Sequence, residues 1–341
     1  MSPADGTMAG MDPVLPASAE ADLAAAAALL AQGRLVGLPT ETVYGLAADA
    51  RNPDAVQAIF ALKQRPADHP LIVHIGTVDE LQEWATEVPP AALALARAFW
   101  PGPLTLVLPA RPDVPRVVTG GLDTVALRMP AHPVALALLR RLGRGVAAPS
   151  ANRHLRVSPT TAAHVREEFG DPLPLVLDGG PCTVGIESTI VDLSPDKPRI
   201  LRPGAISAAQ IADCLQREVS LQPAAGTRAP GLMKRHYSPR AQVECVATHA
   251  LPERVAHHLM AGLRVAQLSA TAPAQPHPAL VWLAAGETLD ARMQRLYGLL
   301  READMLGVDV VVAELPEGDG PADALRDRLL RAAGQGSVPT D

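Results

Sequence analysis

With 341 residues, 48% hydrophobic and 19% charged, the chain has room for two domains and a large buried core. A net charge of -6 argues against an extended nucleic-acid-binding face, though not against a local basic patch. Cys182, Cys214 and Cys245 show neither metal-ligand nor disulfide spacing, no apolar run reaches membrane-spanning length, and the N-terminus lacks signal-peptide character, so a cytoplasmic protein is expected.

In chain order, residues 1–17 are rich in Gly, Pro and Ala and are expected to be disordered. Residues 18–33 predict a helix with Ser18 as cap, acids in its first turn and Gly33 as its stop. The strand RLVGL (34–38) then meets Pro39, which fixes its own backbone and holds Leu38 extended. TETVYG follows. Its hydroxyls Thr40, Thr42 and Tyr44 around Glu41 are poor core material and suit the lining of a small polar site. Taken alone, the window also reads as a Pro/Gly-punctuated surface turn.

Residues 52–64 predict a helix from the Asn52 cap, Pro53 at its first position and the spacing of Val56, Ile59 and Phe60. Strand 71–75, helices 77–86 and 90–99, strands 104–109 and 124–130, and helix 132–143 come next. Residues 146–150 and 174–180 read as strand ends, 158–170 as a helix capped by Ser158 or Thr160, 186–194 with 199–204 as a hairpin, and 206–216 as a helix. This irregular mixture predicts a twisted mixed sheet with helices, α/β with α+β character. After an aperiodic run at 219–240, strands 241–246, 263–268, 280–284 and 308–314 alternate with helices 251–261, 286–303 and 321–334. That alternation predicts a small doubly wound, Rossmann-like α/β domain, and the absence of GxGxxG gives dinucleotide binding no support. The expected division is 1–17, 18–217, a linker at 218–240, and 241–341.

Polar residues interrupting apolar strands are the candidate chemistry. Lys63 and Arg65 lie in LKQRP, His74 in LIVHI, Thr124 and Arg128 in TVALRMP, Ser150 and Asn152 in APSAN. Ser158, Glu187, Ser188 and Arg202 follow. In an extended strand Thr124 and Arg128 share a face, and a buried arginine must be paired or bind an anion. Several basic residues near loop ends point to phosphate or carboxylate recognition. No GxxxxGK[ST], HExxH, CxxC or GxSxG motif occurs, so phosphates would be held by side chains and turn amides, and Mg2+ mainly by the phosphates themselves. Residue spacing alone ends at a two-domain protein with an anion-binding cleft.

The ordered run GLPTETVYGL, KQRPADHPLIVHI, FWPGPLTLVL, GLDTVALRMPAHP, AAPSANR with SPTTAAHV, LDGGPCTVGIESTIVDL and ILRPG resembles the YrdC-like family. Its continuation through APGLMKRHYSP resembles the longer Sua5-type members, over roughly residues 18–334. The resemblance implies a nucleotidyltransferase, threonylcarbamoyl-AMP synthase, using L-threonine, bicarbonate or CO2, and ATP with Mg2+. Its product would pass to a partner transferase that modifies A37 of tRNAs reading codons that begin with A, with tRNA itself bound weakly or transiently. It also implies a threonine pocket at Thr40, His74, Arg128 and Ser188, and ATP contacts at Lys63, Arg65, Thr124, Ser150, Asn152, Ser158, Arg202, His236 and Tyr237. Lys63 and Arg65 would act electrostatically, with no protein nucleophile, and residues 226–240 would form a lid. Leu155 stands where a glycine is expected. RNA binding by the same superfamily is the alternative reading, and Glu41 has no assigned role.

Overall fold

The structure, a computed structural model, describes residues 17–195, 197–221, 230, 231, 233 and 235–335. The expected disorder of the N-terminus and the first four residues of the proposed lid, with 232 and 234, therefore fall outside the described residues.

Helix α1 (Ala17–Ala31) precedes strands β1 (Val36–Leu38) and β2 (Gly45–Asp49), which pair antiparallel across the TETVYG turn. Ser18 lies inside this helix rather than at its cap. Strand β2 was not expected: GLAAD has none of the β-branched or aromatic residues that mark strands, and pairing with its neighbours decides its conformation. Helix α2 (Pro53–Lys63) forms as predicted, with Asn52 Oδ1 accepting from the Asp54 and Ala55 amides. It ends at Gln64, whose φ of 54° turns the chain.

Strand β3 (Ile72–His74) is followed by a helix of four residues, α3 (Leu81–Trp84), where 77–86 was expected. Glu80 Oε1 accepts from the Gly76 and Thr77 amides and holds the preceding stretch as a loop. Helix α4 (Pro90–Phe99), strand β4 (Leu104–Pro109), the short helix α5 (Arg116–Thr119), strand β5 (Thr124–Arg128), helix α6 (Pro133–Leu142) and strand β6 (Val146–Ala147) follow. Helix α7 (Ala162–Phe169) is capped by Thr161, not by Ser158 or Thr160. Residues 174–180 form no strand, only a single bridge between Gly37 and Val176. Strands β7 (Thr189–Asp192) and β8 (Arg199–Arg202) make the expected hairpin before helix α8 (Ala208–Leu215).

These strands form one mixed sheet in the order β1-β2-β6-β3-β5-β4-β7-β8, parallel at β3/β5 and β4/β7 and antiparallel elsewhere. Register positions the site. Ile72 faces Ala126 and His74 faces Arg128 across β3/β5, while Val107 faces Ala126 across β4/β5. Because side chains alternate along a strand, the face that buries Ile72, Val107, Ala126 and Ile190 continues into His74, Arg128 and Thr105.

The C-terminal sheet holds β9 (Gln242–Val246), β10 (Val265–Ser269), β11 (Leu280–Ala284) and β12 (Val310–Glu314), all parallel, in the order β11-β10-β12-β9. Helix α9 (Leu251–Met260) covers one face through Leu251 and Val255 against Val265, Val310 and Val312. Helices α10 (Leu289–Leu306) and α11 (Pro321–Ala332) cover the other, where Ala266, Leu268 and Val311 pack. The predicted helix 286–303 is shifted because Thr288 caps it, accepting from the Ala291 amide. Val43, Val157, Ile186 and Tyr237 join this second cluster, so the two halves share apolar packing. Among the described residues no helix is long and apolar enough to cross a membrane.

Candidate functional site

The polar end of the first sheet, the TETVYG turn and the residues Pro230, Gly231, His236 and Tyr237 line a cavity of about 50 Å3. Arg65, Arg128 and Arg202 line it together with Thr40, His74, Ser150, Glu187, Ser188, His236 and Tyr237.

Hydrogen bonds order the turn in one direction. Arginine only donates, so Arg128 Nη1 gives its hydrogen to Thr42 Oγ1 at 2.8 Å. Thr42 Oγ1 then donates to Thr40 Oγ1 at 2.9 Å, and Thr40 Oγ1 donates to Val43 O at 2.6 Å. The Thr40 oxygen also accepts from the Thr42 and Val43 amides, so this hydroxyl is fully used in shaping the turn. Its methyl group is what remains for a ligand. Glu41 gains a role here: its Oε1 lies 2.7 Å from Arg128 Nη2 as a buried ion pair, though without hydrogen-bond alignment. With Nε on Gly102 O at 3.2 Å and Nη1 on Thr42, Arg128 hydrogen-bonds through two of its five N–H groups, while Nη2 meets Glu41 as a charge only.

Lys63 is placed differently from Arg65. Gln64 between them is left-handed, and Lys63 Nζ donates to Ser150 O at 2.5 Å and to Asn152 O, beneath the cavity wall rather than in its lining. Burial, reinforced by Arg65, lowers the Lys63 pKa well below the usual lysine value. Arg65 faces the cavity, donating to Pro70 O at 3.2 Å while its buried Nε lacks a partner; burial lowers its pKa to about 10, so it stays charged at neutral pH. Arg202 donates through Nε and Nη2 to Ser188 O at 3.1 and 2.9 Å, and through Nη1 to Pro230 O at 2.9 Å. Ser188 Oγ shares a hydrogen bond with Thr105 Oγ1 at 2.7 Å.

His74 has an unpartnered Nδ1, and burial, then the Arg128 charge, lowers its pKa to about 3. Burial likewise keeps His236 far below the ordinary histidine range, and its Nδ1 is also unpartnered, as is Tyr237 Oη. Both imidazoles are neutral at physiological pH. Each unpaired buried polar group costs about 1–3 kcal/mol, and several of them converge here, which marks a place built to pair with ligand atoms. Thr124, Asn152 and Ser158 are not brought to the cavity: Asn152 Nδ2 donates to Arg153 O and Arg156 O, and Ser158 Oγ donates to Glu187 Oε1 at 2.7 Å.

Glu187 was singled out in the sequence without a role; its partners Tyr297 and Arg328 were missed. Its Oε2 accepts from Tyr297 Oη at 2.7 Å and Arg328 Nε at 2.8 Å, both from the C-terminal half. Burial pushes this carboxyl up, but Arg328, Arg202 and the hydrogen bonds from Ser158 and Tyr297 outweigh it and hold the pKa at about 2. Arg328 is fully buried and also binds Asp327 and Pro203 O. A residue of this kind in ALRDRLLRAA looks like one of many solvated helix charges, so only the Leu325–Leu329 spacing beside it hinted at burial.

Helix α11 also grips the segment before β9. His236 N donates to Arg331 O at 3.2 Å, Arg331 Nη1 to Met233 O at 2.6 Å, and Ser238 Oγ to Ala332 O at 3.1 Å. Tyr237 adopts φ 60°, and a Cβ on Gly231 (φ 85°) would lie 2.4 Å from Tyr237 Oη, so position 231 admits only glycine in this arrangement. Leu155, where a glycine was expected, does adopt a left-handed φ of 69°. Its carbonyl accepts from Ser238 N at 2.9 Å.

Two family models match the chain: Sua5/YciO/YrdC, described as "telomere recombination", over residues 28–204, and "Threonylcarbamoyl-AMP synthase, C-terminal domain" over 206–334. The chain is 42% identical to a Pyrococcus abyssi protein named threonylcarbamoyl-AMP synthase, over 91% of this chain and 93% of that one. It is 40% identical to a Bacillus subtilis protein of the same name, over 92% and 93%. A solved structure of P. abyssi Sua5 complexed with L-threonine superposes with a TM-score of 0.85 at 40% identity, covering 93% of this chain and 95% of that one. The ordered motifs, the paired sheets and these matches agree: the chain belongs to the Sua5/YciO/YrdC family, in its two-part Sua5 branch.

Proposed function

We propose that the chain is a threonylcarbamoyl-AMP synthase, a nucleotidyltransferase that joins L-threonine, bicarbonate or CO2, and ATP into threonylcarbamoyl-AMP with release of pyrophosphate. The observation that carries this reading is the convergence of Arg65, Arg128 and Arg202 with His74 and Ser188 on one cavity, in a chain so similar to proteins of that name. The setting is cytoplasmic, and the product passes to a transferase that modifies tRNA.

In the reaction, the threonine amine adds to CO2 and loses a proton, giving an N-carboxy-threonine. A carboxylate oxygen of that carbamate attacks the α-phosphorus, and the bond to pyrophosphate breaks. No protein nucleophile is needed. The N–H groups of Arg128 that are not hydrogen-bonded within the protein take the amino-acid carboxylate, and the Glu41 ion pair holds the guanidinium for it. The hydroxyl of Ser188 and the Thr40 methyl face the substrate side chain, and neutral His74 offers Nδ1. Arg65 and Arg202 offset charge building on the departing pyrophosphate. Lys63, bound to two carbonyls, holds the Ser150–Asn152 loop in place. When bound, Mg2+ would be held mainly by the ATP phosphates and would supply charge neutralisation there. This fits the donor set: among the described residues Glu187 is the only acid in the lining, and it is already committed to Ser158, Tyr297 and Arg328.

Small-molecule sites occupy roughly 300–1,000 Å3, so a nucleotide needs more room than a cavity of about 50 Å3 gives, and the wall made by Pro230, Gly231, His236 and Tyr237, from the expected lid, is the segment we take to withdraw. We take that segment as a lid that shelters the labile carbamate and mixed anhydride from water. The test is incubation of the protein with ATP, Mg2+, bicarbonate and L-threonine, reading pyrophosphate and threonylcarbamoyl-AMP. Omitting threonine should abolish product; threonine-independent pyrophosphate release as the sole activity would sink the assignment.

A further inference from the structure

Parallel strands covered on both faces normally read as continuous apolar runs. Strand β10 departs from this on its α9 side, where Gln267 and Ser269 are 5% and 1% exposed. Both line a cavity of about 570 Å3 at the carboxyl ends of β10 and β12. Leu251, Val255 and Leu259 of α9 form one wall, Leu280 contributes to the floor, and residues 271–277 border it. In open parallel sheets this crevice is where ligands bind, and the volume lies within the small-molecule range.

Hydrogen bonding fixes what the floor presents. Ser269 Oγ donates to Thr271 O at 2.8 Å, so it must accept from Gln267 Nε2 at 2.9 Å. Nε2 also reaches Thr271 O at 3.3 Å, and a carbonyl only accepts, so the amide nitrogen is the atom on that side. Gln267 Oε1 therefore points away from this network, and no described residue donates to it. The site is also short of positive charge: among the described residues no lysine or arginine lines it. Its one acid, Glu314, is held by Thr248 Oγ1 at 2.9 Å and the Ala270 amide at 3.0 Å, and pairs at 3.7 Å with Arg292, which does not line the cavity. An anion would meet an already paired carboxylate and no lysine or arginine free to receive it.

We propose that this cavity is a second ligand site, for an uncharged, largely apolar small molecule with one N–H or O–H donor, which meets Gln267 Oε1 while the apolar body lies against α9. It shares no lining residue with the first cavity, and it does not depend on the synthase reading.

Methyl NMR of the full chain tests it, with 4-phenylphenol as the probe, 4-phenylanisole as the same shape without a donor, and biphenyl-4-carboxylate as the anion. Saturable shifts of the Leu251, Val255, Leu259 and Leu280 methyls are expected with 4-phenylphenol, weaker ones with 4-phenylanisole and none with the carboxylate. Gln267→Leu should weaken 4-phenylphenol about tenfold, the equivalent of one hydrogen bond, and leave 4-phenylanisole unchanged. Ala256→Trp, an exposed position on the wall, should block both without disturbing the fold. No saturable shift up to the solubility limit, equal binding of the carboxylate, or shifts that survive Ala256→Trp would each overturn the proposal.

Discussion

The two cavities differ in what each lacks. The one in the first sheet is small and crowded with charge: three guanidiniums, two neutral imidazoles and several buried polar atoms without partners. The one in the second sheet is roomy and aliphatic, with its polar floor bonded to itself except for one amide oxygen. The first holds its groups ready in little space; the second has space but little charge. Unsatisfied polarity in a tight place points to a charged ligand and a moving wall, whereas satisfied polarity in a large place points to a neutral ligand and a still one.

The largest expected effect comes from stripping the support beneath the charged cavity. Arg328→Met leaves Glu187 buried without its hydrogen-bonded cation and removes one of the two arginines on Asp327, Arg331 remaining, and should lower stability by about 3–5 kcal/mol in urea unfolding. The double variant Arg328→Met with Glu187→Leu should recover part of that loss. Binding of 4-phenylphenol to the folded protein should change little, because the second cavity does not use this cluster.

Next comes Arg128→Lys. It keeps the charge but loses the planar fork that Glu41, Thr42 and Gly102 hold in place. The KM for threonine should rise about ten- to hundredfold, as for loss of a charge-assisted hydrogen bond, with a smaller change in the KM for ATP. Equal effects on both substrates would count against the carboxylate assignment.

Acid should separate the cavities as well. Glu187 titrates at about 2 in the folded protein against an ordinary 4.5, so its stabilisation is complete above pH 4.5 and disappears as pH falls towards 2. In Glu187→Gln, unfolding stability should depend less steeply on pH across that window, as read by urea titrations at several pH values. The smallest effect is expected at Leu155→Gly. It relieves a left-handed leucine, about 1–2 kcal/mol, but adds chain entropy of about 0.5–1 kcal/mol. Thermal unfolding should show a net change near or below about 1 kcal/mol, in the stabilising direction.

The architecture was largely legible because periodicity and punctuation are local. Asn52-Pro53 announces its helix, and the alternation after residue 241 announces a parallel sheet. Strand β2 was not legible, since alanine and glycine carry no strand signal until neighbours pair with them. At the site, motif order identified the right segments, but motifs do not say which way a side chain turns. Lys63 and Arg65 are two residues apart, yet one binds carbonyls beneath the wall and the other lines the cavity, through the conformation of Gln64. Ser158 serves Glu187, and Glu187's remaining partners come from more than a hundred residues downstream, where sequence spacing carries no information.

That carboxylate has a consequence for how the chain can be recombined. A cut near residue 217 looks clean on paper, because it falls between two sheets and in an aperiodic stretch. It would nevertheless leave one half with a buried acid and the other with a buried tyrosine and arginine, each shaped for a group left on the other piece. A hybrid that borrows its second half from a relative must import that tyrosine and arginine in the same register, or replace Glu187 as well. The smallest exchangeable unit is therefore set by a three-residue contact, not by either sheet.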